Sequence, residues 1–338
     1  MKRPAGTAAK LALALLSAGA TLGVLEAFLR LHPVNDVDVG DNPYQYTRFL
    51  GDVRFGIPLH SYREVYPLQF DHSNYYSKTQ GEVEYRFNQF GGRWIASAEQ
   101  PLPGKGVLVV GDSLTFGFGL RYEDAFVFRL EQSLGGRYHF LNFAEPGGDA
   151  RRSAGVYRMV RDRALHDVVL YGLHLNDLVE FDTSYVANHR QRVRSLGGLG
   201  GRSRLADFVL ERIARAEGRA ESIAALTDPG VVRRPYWTEN MAAIEEMDRE
   251  SAERGQRLVV VILPILVDVG KGTFEGVYAA VRAALDARRI RRIDLTRSAP
   301  AADDRDLWIL PFDQHPNERA NEAFAVALGA VWERHVRD

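Results

Sequence analysis

Short apolar segments alternate with helical segments over most of the chain, and this alternation limits its possible folds more than any other feature. The first apolar segment, 106–110, is rich in β-branched residues and ends at Gly111, the pattern of a strand buried on both faces. We predict further strands near 138–143, 167–172, 257–264 and 291–295, and helices near 123–133, 151–163, 237–254, 274–288 and 318–336. This order predicts an α/β fold, a doubly wound parallel sheet with helices on both faces.

Two parts of the sequence depart from the alternation. Residues 35–103 are rich in Tyr, Phe, Asn and Gly, and we expect an extended, loop-rich N-terminal segment ahead of a domain at 104–338. Residues 182–234 form an insertion that combines a Gly-rich basic stretch with an amphipathic helix at 205–226. Two interpretations of the insertion are open: a lid or acceptor-binding flap over a site at the sheet edge, and a solvated surface excursion.

The N-terminus carries a basic segment followed by an apolar one. Three basic residues precede an uncharged stretch at 11–25, and apolar character continues past Glu26. This pattern indicates a signal sequence or signal anchor at 1–34. We favour an uncleaved membrane anchor with an extracytoplasmic body, periplasmic or at the cell surface, because basic residues before the segment keep the N-terminus in the cytoplasm. Cleavage near Ala20 would instead give a secreted protein, and an amphipathic helix packed on the domain is the third interpretation.

The composition excludes several kinds of site. The 338 residues contain no cysteine, so the chain has no disulfide, no thiolate nucleophile and no cysteine-ligated zinc. Its 43 basic and 44 acidic residues give a net charge of −1, which provides no overall field for binding nucleic acid. We therefore expect a globular protein without a nucleic-acid partner.

The strongest candidate nucleophile follows the first predicted strand. Ser113 lies in the sequence Gly111-Asp-Ser-Leu114, at the carboxyl end of a parallel strand, where ligands bind in open α/β sheets. For this motif taken alone an alternative is open, because Asp or Ser after a strand is also the usual N-cap of the following helix.

A second motif, Asp313-Gln-His315, lies between a strand-like segment at 308–310 and the last predicted helix. A serine hydroxyl is a weak nucleophile at neutral pH and needs an imidazole to accept its proton, and that imidazole needs a carboxylate to orient it. Asp313 and His315 can supply both groups from one short loop. Taken alone, this motif is also consistent with a helix cap.

Two further residues are candidate donors to a developing oxyanion. Gly147 follows the second predicted strand and can offer an unobstructed backbone N–H, and Asn176 follows the third and can offer its side-chain amide. Each is also an ordinary turn residue when taken alone. His174 has two open interpretations, a substrate contact and a histidine satisfied by hydrogen bonds within the fold. Taken together, the order of the four residues favours a catalytic role over turns and caps, because Ser, Gly, Asn and His each follow a strand of one predicted sheet.

Four sequence blocks contain these residues: 111–114, 142–147, 172–177 and 313–315. In this order they resemble the four blocks of the SGNH, or GDSL-like, hydrolase superfamily. The resemblance covers the chain from the first predicted strand to the C-terminus. It implies an SGNH-hydrolase or flavodoxin-like three-layer fold, with Ser113 as nucleophile and His315 as base. It further implies that Asp313 orients the histidine and that the Ser113 N–H, the Gly147 N–H and the Asn176 amide form the oxyanion hole.

Two departures from the superfamily pattern bear on this resemblance. Many members place the acid three residues before the histidine, where this chain has Phe312, whereas here the acid stands two residues before it. That Asp-x-His spacing resembles the exported, polysaccharide-modifying branch, including alginate acetylation proteins, and implies an acylated carbohydrate or small ester as substrate. In the block at 142–147, Ala144 stands where the superfamily more often has Gly or Ser. This difference does not affect Gly147, the expected donor.

Other functional classes lack their motifs in this sequence. The turn after the first strand has no G-x-G-x-x-G pattern, and the chain has no P-loop, so we expect no nucleotide cofactor. Thr115 stands where the nucleophile elbow of α/β-hydrolases has its second glycine. Asp313 and His315 alone do not make a metal-ligand cluster, so we expect no metal.

Three hypotheses about function follow. The first is a carboxylic ester hydrolase that removes acyl groups, in particular acetyl, from a glycan or small ester through an acyl-enzyme. The second is an O-acyltransferase that uses the same residues and passes the acyl group to an exported polysaccharide. The third is a non-catalytic polysaccharide-assembly protein that keeps the fold.

Overall fold

The structure, a computed structural model, consists of helices and strands in two compact units. It describes residues 5–31, 61–65, 82–86, 92–93, 104–162, 166–180, 203–310 and 313–336. Its helices are α1 (Ala5–Leu31), α2 (Ser113–Phe116), α3 (Phe126–Ser133), α4 (Ala150–Val160), α5 (Arg204–Thr227), α6 (Pro235–Ala252), α7 (Glu275–Ala287) and α8 (Glu318–Val336). Its strands are β1 (Ser61–Val65), β2 (Glu82–Arg86), β3 (Lys105–Gly111), β4 (Tyr138–Asn142), β5 (Val168–Leu173), β6 (Arg257–Ile262), β7 (Arg292–Asp294), β8 (Trp308–Leu310) and β9 (Asp313–Pro316). One unit comprises 1–43 with 182–223, and the other 44–181 with 224–338.

The first unit contains α1 and most of α5. α1 is rich in Ala and Leu and has no proline in its interior, which favours a long uninterrupted helix. Ala9–Leu31 is long and apolar enough to cross a membrane, and it is the one such helix among the described residues. Most of its leucines are exposed, as at Leu16, which is 73% exposed, whereas Leu29 is buried.

Glu26, an acid within this apolar helix, binds the start of α5. Its carboxylate accepts hydrogen bonds from Ser203 Oγ at 2.9 Å and from the backbone N–H groups of Arg204 and Leu205 at 3.0 and 2.9 Å. Because the first N–H groups of a helix have no partner within it, a carboxylate at this position completes the cap. Glu26 therefore links the N-terminal helix to the helix predicted within the insertion.

The second unit is organised around a five-stranded parallel sheet with the order β4-β3-β5-β6-β7. The central strands are apolar after their first residues, and 107–110 are completely buried. Strands of this kind are covered by helices on both faces. The sequence prediction of a parallel α/β sheet is confirmed.

Helices cover the two faces of this sheet in pairs. α3 packs against α8, and α4 packs against α6. The right-handed crossover of parallel strands puts the first pair on one face and the second on the other, because the chain reverses direction across the sheet after β4. Aromatic side chains fill the layer under α8, where the Phe140 and Trp332 rings lie 5.4 Å apart. The predicted strands and helices of this unit are all present, with ends shifted by a few residues.

Two antiparallel pairs lie outside the large sheet, β1 with β2 and β8 with β9. The first pair falls in the segment predicted to be extended, 35–103, most of which lies outside the described residues. The Gly-rich part of the insertion lies outside them as well, so its interpretation as a lid or a surface excursion stays open. The domain boundaries that we predict after 34 and 103 also stay predictions.

Candidate active site

The loops that carry the predicted site residues begin at one edge of the parallel sheet. Gly111, at the end of β3, pairs with Gly172 of β5, and β4 lies parallel to β3 on its other side. Ser113 follows β3, Gly147 follows β4 and Asn176 follows β5. The carboxyl edge of the sheet therefore brings these three segments side by side.

Ser113 is the first residue of the short helix α2. Asp112 is the N-cap of that helix, since its Oδ1 accepts a backbone N–H of α2 at 3.0 Å, and the cap role leaves the Ser113 hydroxyl available. A Cβ atom added at Gly172 would lie 2.0 Å from Thr115 Oγ1, and one at Gly111 would lie 2.5 Å from it. Glycines at these two strand ends therefore let α2 sit directly on the sheet.

His315 is separated from Ser113 by 202 positions in sequence, and its Nε2 lies 2.8 Å from Ser113 Oγ. At this distance the serine hydroxyl can donate to the imidazole nitrogen. The Phe118 ring packs on the imidazole with its centroid 4.8 Å away. Phe118 donates its N–H to the Ser113 carbonyl at 3.0 Å, so the nucleophile and the ring packed on its base belong to one turn.

Two asparagines fix the segment that carries His315. Asn317 caps α8, because its Oδ1 accepts two backbone N–H groups of that helix at 3.1 and 3.2 Å. Asn321 is buried, accepts the Phe126 N–H at 3.0 Å and donates to the Pro316 carbonyl at 3.0 Å. The residue that follows the histidine is thereby held against the start of α3. The helix cap that the sequence left open is Asn317 and lies outside the Asp-x-His motif.

Asp313 lies on β9 together with His315, and its backbone pairs with that of Leu310. Its side chain lies outside what the structure describes. The role of Asp313 as the group that orients the histidine therefore stays a prediction.

Gly147 lies in a tight turn after β4. The turn is closed by a hydrogen bond of 3.1 Å from the Gly148 N–H to the Glu145 carbonyl, with Pro146 in its second position. Gly147 has φ of +71°, which fits the third position of a type II turn, and it is exposed. The residue is thus accessible, as an oxyanion donor must be. Asn142, completely buried, ties the start of this segment to α2 by donating to the Thr115 carbonyl at 3.0 Å.

Asn176 and His174 contact one another in the 3-10 turn after β5. His174 Nδ1 lies 2.7 Å from Asn176 Oδ1 and 3.8 Å from Asp112 Oδ2. Both side chains are half-buried. Of the two interpretations of His174 from sequence, the structure shows the hydrogen bond within the fold.

The last residue of this turn, Asp177, is a buried acid. The Asp177 carboxylate accepts the Tyr171 hydroxyl at 2.7 Å and the His174 N–H at 3.1 Å. Burial raises the pKa of Asp177 well above its usual range, and the nearby Asp112 raises it further. Within the described ranges, no group of three or more His, Asp or Glu side chains has the arrangement of a metal site.

Sequence reasoning missed Arg93, which supports residues 113–120, the nucleophile turn. Its side chain is 1% exposed, and its guanidinium donates to the carbonyls of Phe116 at 2.6 Å, Gly117 at 2.7 Å and Leu120. Its backbone N–H donates to the Asn142 carbonyl at 2.6 Å. The surrounding segment shows no periodicity, so the one sequence signal is an isolated arginine after two glycines.

No protein-family model and no curated protein matches the chain. Solved structures similar to it include a lipolytic protein of the G-D-S-L family from Veillonella parvula, with 14% identity and a TM-score of 0.41 over 68% of this chain and 100% of the other. A carbohydrate acetylesterase family member from Sinorhizobium meliloti has 16% identity and a TM-score of 0.40 over 69% and 99%. An aryl esterase from M. smegmatis has 14% identity and a TM-score of 0.41 over 69% and 100%.

TM-scores below 0.5 and identities this low carry no information about activity, so the functional case rests on the residues of this chain. Those residues are a serine and a histidine in contact at the carboxyl edge of a five-stranded parallel sheet. The chain therefore has a doubly wound α/β fold with a serine–histidine pair at one sheet edge, the arrangement that the resemblance of its four sequence blocks to the SGNH superfamily implies.

Proposed function

We propose that this chain is a serine ester hydrolase that forms an acyl-enzyme on Ser113. The observation that carries the proposal is the 2.8 Å contact between Ser113 Oγ and His315 Nε2. In the first half-reaction, the hydroxyl oxygen attacks the ester carbonyl while His315 Nε2 takes its proton. The histidine then gives that proton to the departing alkoxide. A water molecule, deprotonated by the same nitrogen, then attacks the acyl carbonyl. The bond from that carbonyl to Ser113 Oγ breaks, Oγ takes the proton back from His315, and the carboxylic acid leaves.

The tetrahedral intermediates need donors for their oxyanion. We assign this role to the N–H groups of Ser113 and Gly147 and to the Asn176 amide. Three features support the assignment: the three segments lie side by side at the sheet edge, the Ser113 N–H belongs to the first residue of a helix, and Gly147 is exposed in its turn. Each such donor contributes about 3 to 4 kcal/mol to the stability of the transition state.

The substrate that we propose is an acyl ester, in particular an acetyl ester, of a carbohydrate or a small alcohol. The Asp-x-His spacing at Asp313 and His315 supports a carbohydrate ester. The same acyl-enzyme can pass its acyl group to a sugar hydroxyl instead of water. Incubation with an activated acetyl ester and oligosaccharide acceptors distinguishes the two, since hydrolysis releases free acetate and transfer yields acetylated sugar.

A fluorophosphonate probe provides the direct test. The probe phosphorus bonds to an activated serine oxygen with loss of fluoride, so we expect folded protein to become labelled and denatured protein to stay unlabelled. Peptide mass spectrometry should place the label on Ser113. Labelling at another residue would refute the assignment, and the absence of labelling in folded protein would favour the non-catalytic polysaccharide-assembly protein.

We further propose that α1 stays on the chain as a membrane anchor, with the second unit on the extracytoplasmic side. The contact of Glu26 with Ser203 and α5 supports retention, because cleavage near Ala20 would leave Glu26 close to a new, frayed helix end. We expect the protein to resist alkaline extraction from membranes and to have the intact mass of the uncleaved chain. A soluble protein whose mass corresponds to a chain that begins near residue 21 would contradict the proposal.

A further inference from the structure

His174 lies between the nucleophile turn and the Asn176 amide. Its Nδ1 is 2.7 Å from Asn176 Oδ1. An amide oxygen can only accept hydrogen bonds, so the ring must carry a proton on Nδ1 to make this contact. With Oδ1 facing the histidine, as in the structure, the contact requires the tautomer that carries its proton on Nδ1.

The surroundings of the ring favour this arrangement. Burial lowers the pKa of His174, so the ring is neutral at neutral pH and has a single proton to place. Asp112 Oδ2 is buried, and no described residue donates a hydrogen bond to it. This oxygen lies 3.8 Å from Nδ1, where its negative charge favours a proton on Nδ1 over one on Nε2.

A carboxamide has an acceptor end and a donor end of nearly the same shape, so packing alone barely distinguishes its two orientations. Only one of them suits an oxyanion hole, because the opposite one would place the amide oxygen against the developing negative charge. If Oδ1 is bound to His174, the NH₂ group must point away from the histidine.

We propose that His174 is a positioning residue, which donates from Nδ1 to Asn176 Oδ1 and thereby turns the Asn176 NH₂ towards the oxyanion. The proposal rests on the proposed ester hydrolase function. It links two of the four blocks, since Asp112 precedes the nucleophile and Asn176 belongs to the turn after β5. His174 itself need not touch the substrate.

The test is a set of variants assayed with p-nitrophenyl acetate. His174→Phe keeps the ring and removes the donor, so we expect kcat to fall roughly 10- to 100-fold with little change in KM, because oxyanion bonds form mainly in the transition state. His174→Asn places an amide N–H near the position of Nδ1 and should restore most of kcat. In an Asn176→Ala background, His174→Phe should cause no further loss, whereas a role in folding alone would lower the rate in both backgrounds.

The tautomer can be measured without turnover. Two-dimensional ¹H–¹⁵N NMR of histidine-labelled wild-type protein should show the His174 proton on Nδ1. A proton on Nε2, or unchanged kcat in His174→Phe, would overturn the proposal. Wild-type protein that neither hydrolyses esters nor reacts with fluorophosphonate would refute the proposed function instead, and the tautomer would then decide whether the bond from His174 to Asn176 exists.

Discussion

Ser113→Ala is expected to lower kcat/KM for p-nitrophenyl acetate by at least about 10³-fold. Its Oγ is the atom in contact with His315 Nε2, and the variant retains every backbone donor of the site but has no oxygen to acylate. Folding should be preserved, because the loss is one hydroxyl on a residue whose helix is capped by Asp112. Steady-state kinetics and thermal unfolding measure the two effects separately.

A matched control and a double variant give this prediction its specificity. Ser133→Ala removes a hydroxyl of the same size from α3, where it bonds the Leu130 carbonyl, and should leave turnover unchanged. His315→Ala should be nearly as slow as Ser113→Ala, and the double variant no slower than either, because the two residues act as one unit. Losses that multiply in the double variant, or full turnover by Ser113→Ala, would remove the pair from the mechanism.

The parallel sheet was predictable because its strands carry the signal in their own residues. A continuous apolar run such as 107–110 indicates a strand buried on both faces without any knowledge of its neighbours in the fold. The helices between the strands carry apolar residues at helical spacing. The pairing of α1 with α5 was not predictable. It depends on a contact between Glu26 and Ser203, which are 177 positions apart. The sequence around either residue does not indicate that the other is its partner.

The candidate site divides in the same way. Ser113, Gly147 and Asn176 were identified because each follows a strand, and a parallel sheet brings such positions to one edge. His315 was identified by its adjacent acid at a predicted strand-to-helix junction; the expectation that it follows a strand of the same sheet is wrong, because it lies on β9 of a separate antiparallel pair. The supporting residues follow no such rule. Phe118, packed on His315, looks in sequence like any aromatic residue of a loop, and its role arises only from the three-dimensional path of the turn.

The guanidinium of Arg93 holds the nucleophile turn through three hydrogen bonds. It is buried, donates to three backbone carbonyls between 116 and 120, and lies over the Phe116 ring with 4.6 Å between its Cζ and the ring centroid. A buried carbonyl that loses its donor costs about 1 to 3 kcal/mol, and the segment affected begins three residues after Ser113. Both stability and the geometry of the nucleophile therefore depend on Arg93.

Arg93→Ala is expected to lower the free energy of unfolding by about 3 kcal/mol or more, and to lower kcat even at temperatures where the variant is folded. Arg93→Lys keeps the charge, but a single ammonium group cannot reproduce the planar set of donors, so most of the loss should persist. Denaturant unfolding measures the stability change, and Arg249→Ala is the control: it removes an exposed arginine paired with Glu253, and should cost less than about 0.5 kcal/mol. If Arg93→Lys were as stable and as active as the wild type, charge alone would account for the role of this residue, and the three-carbonyl support would be refuted.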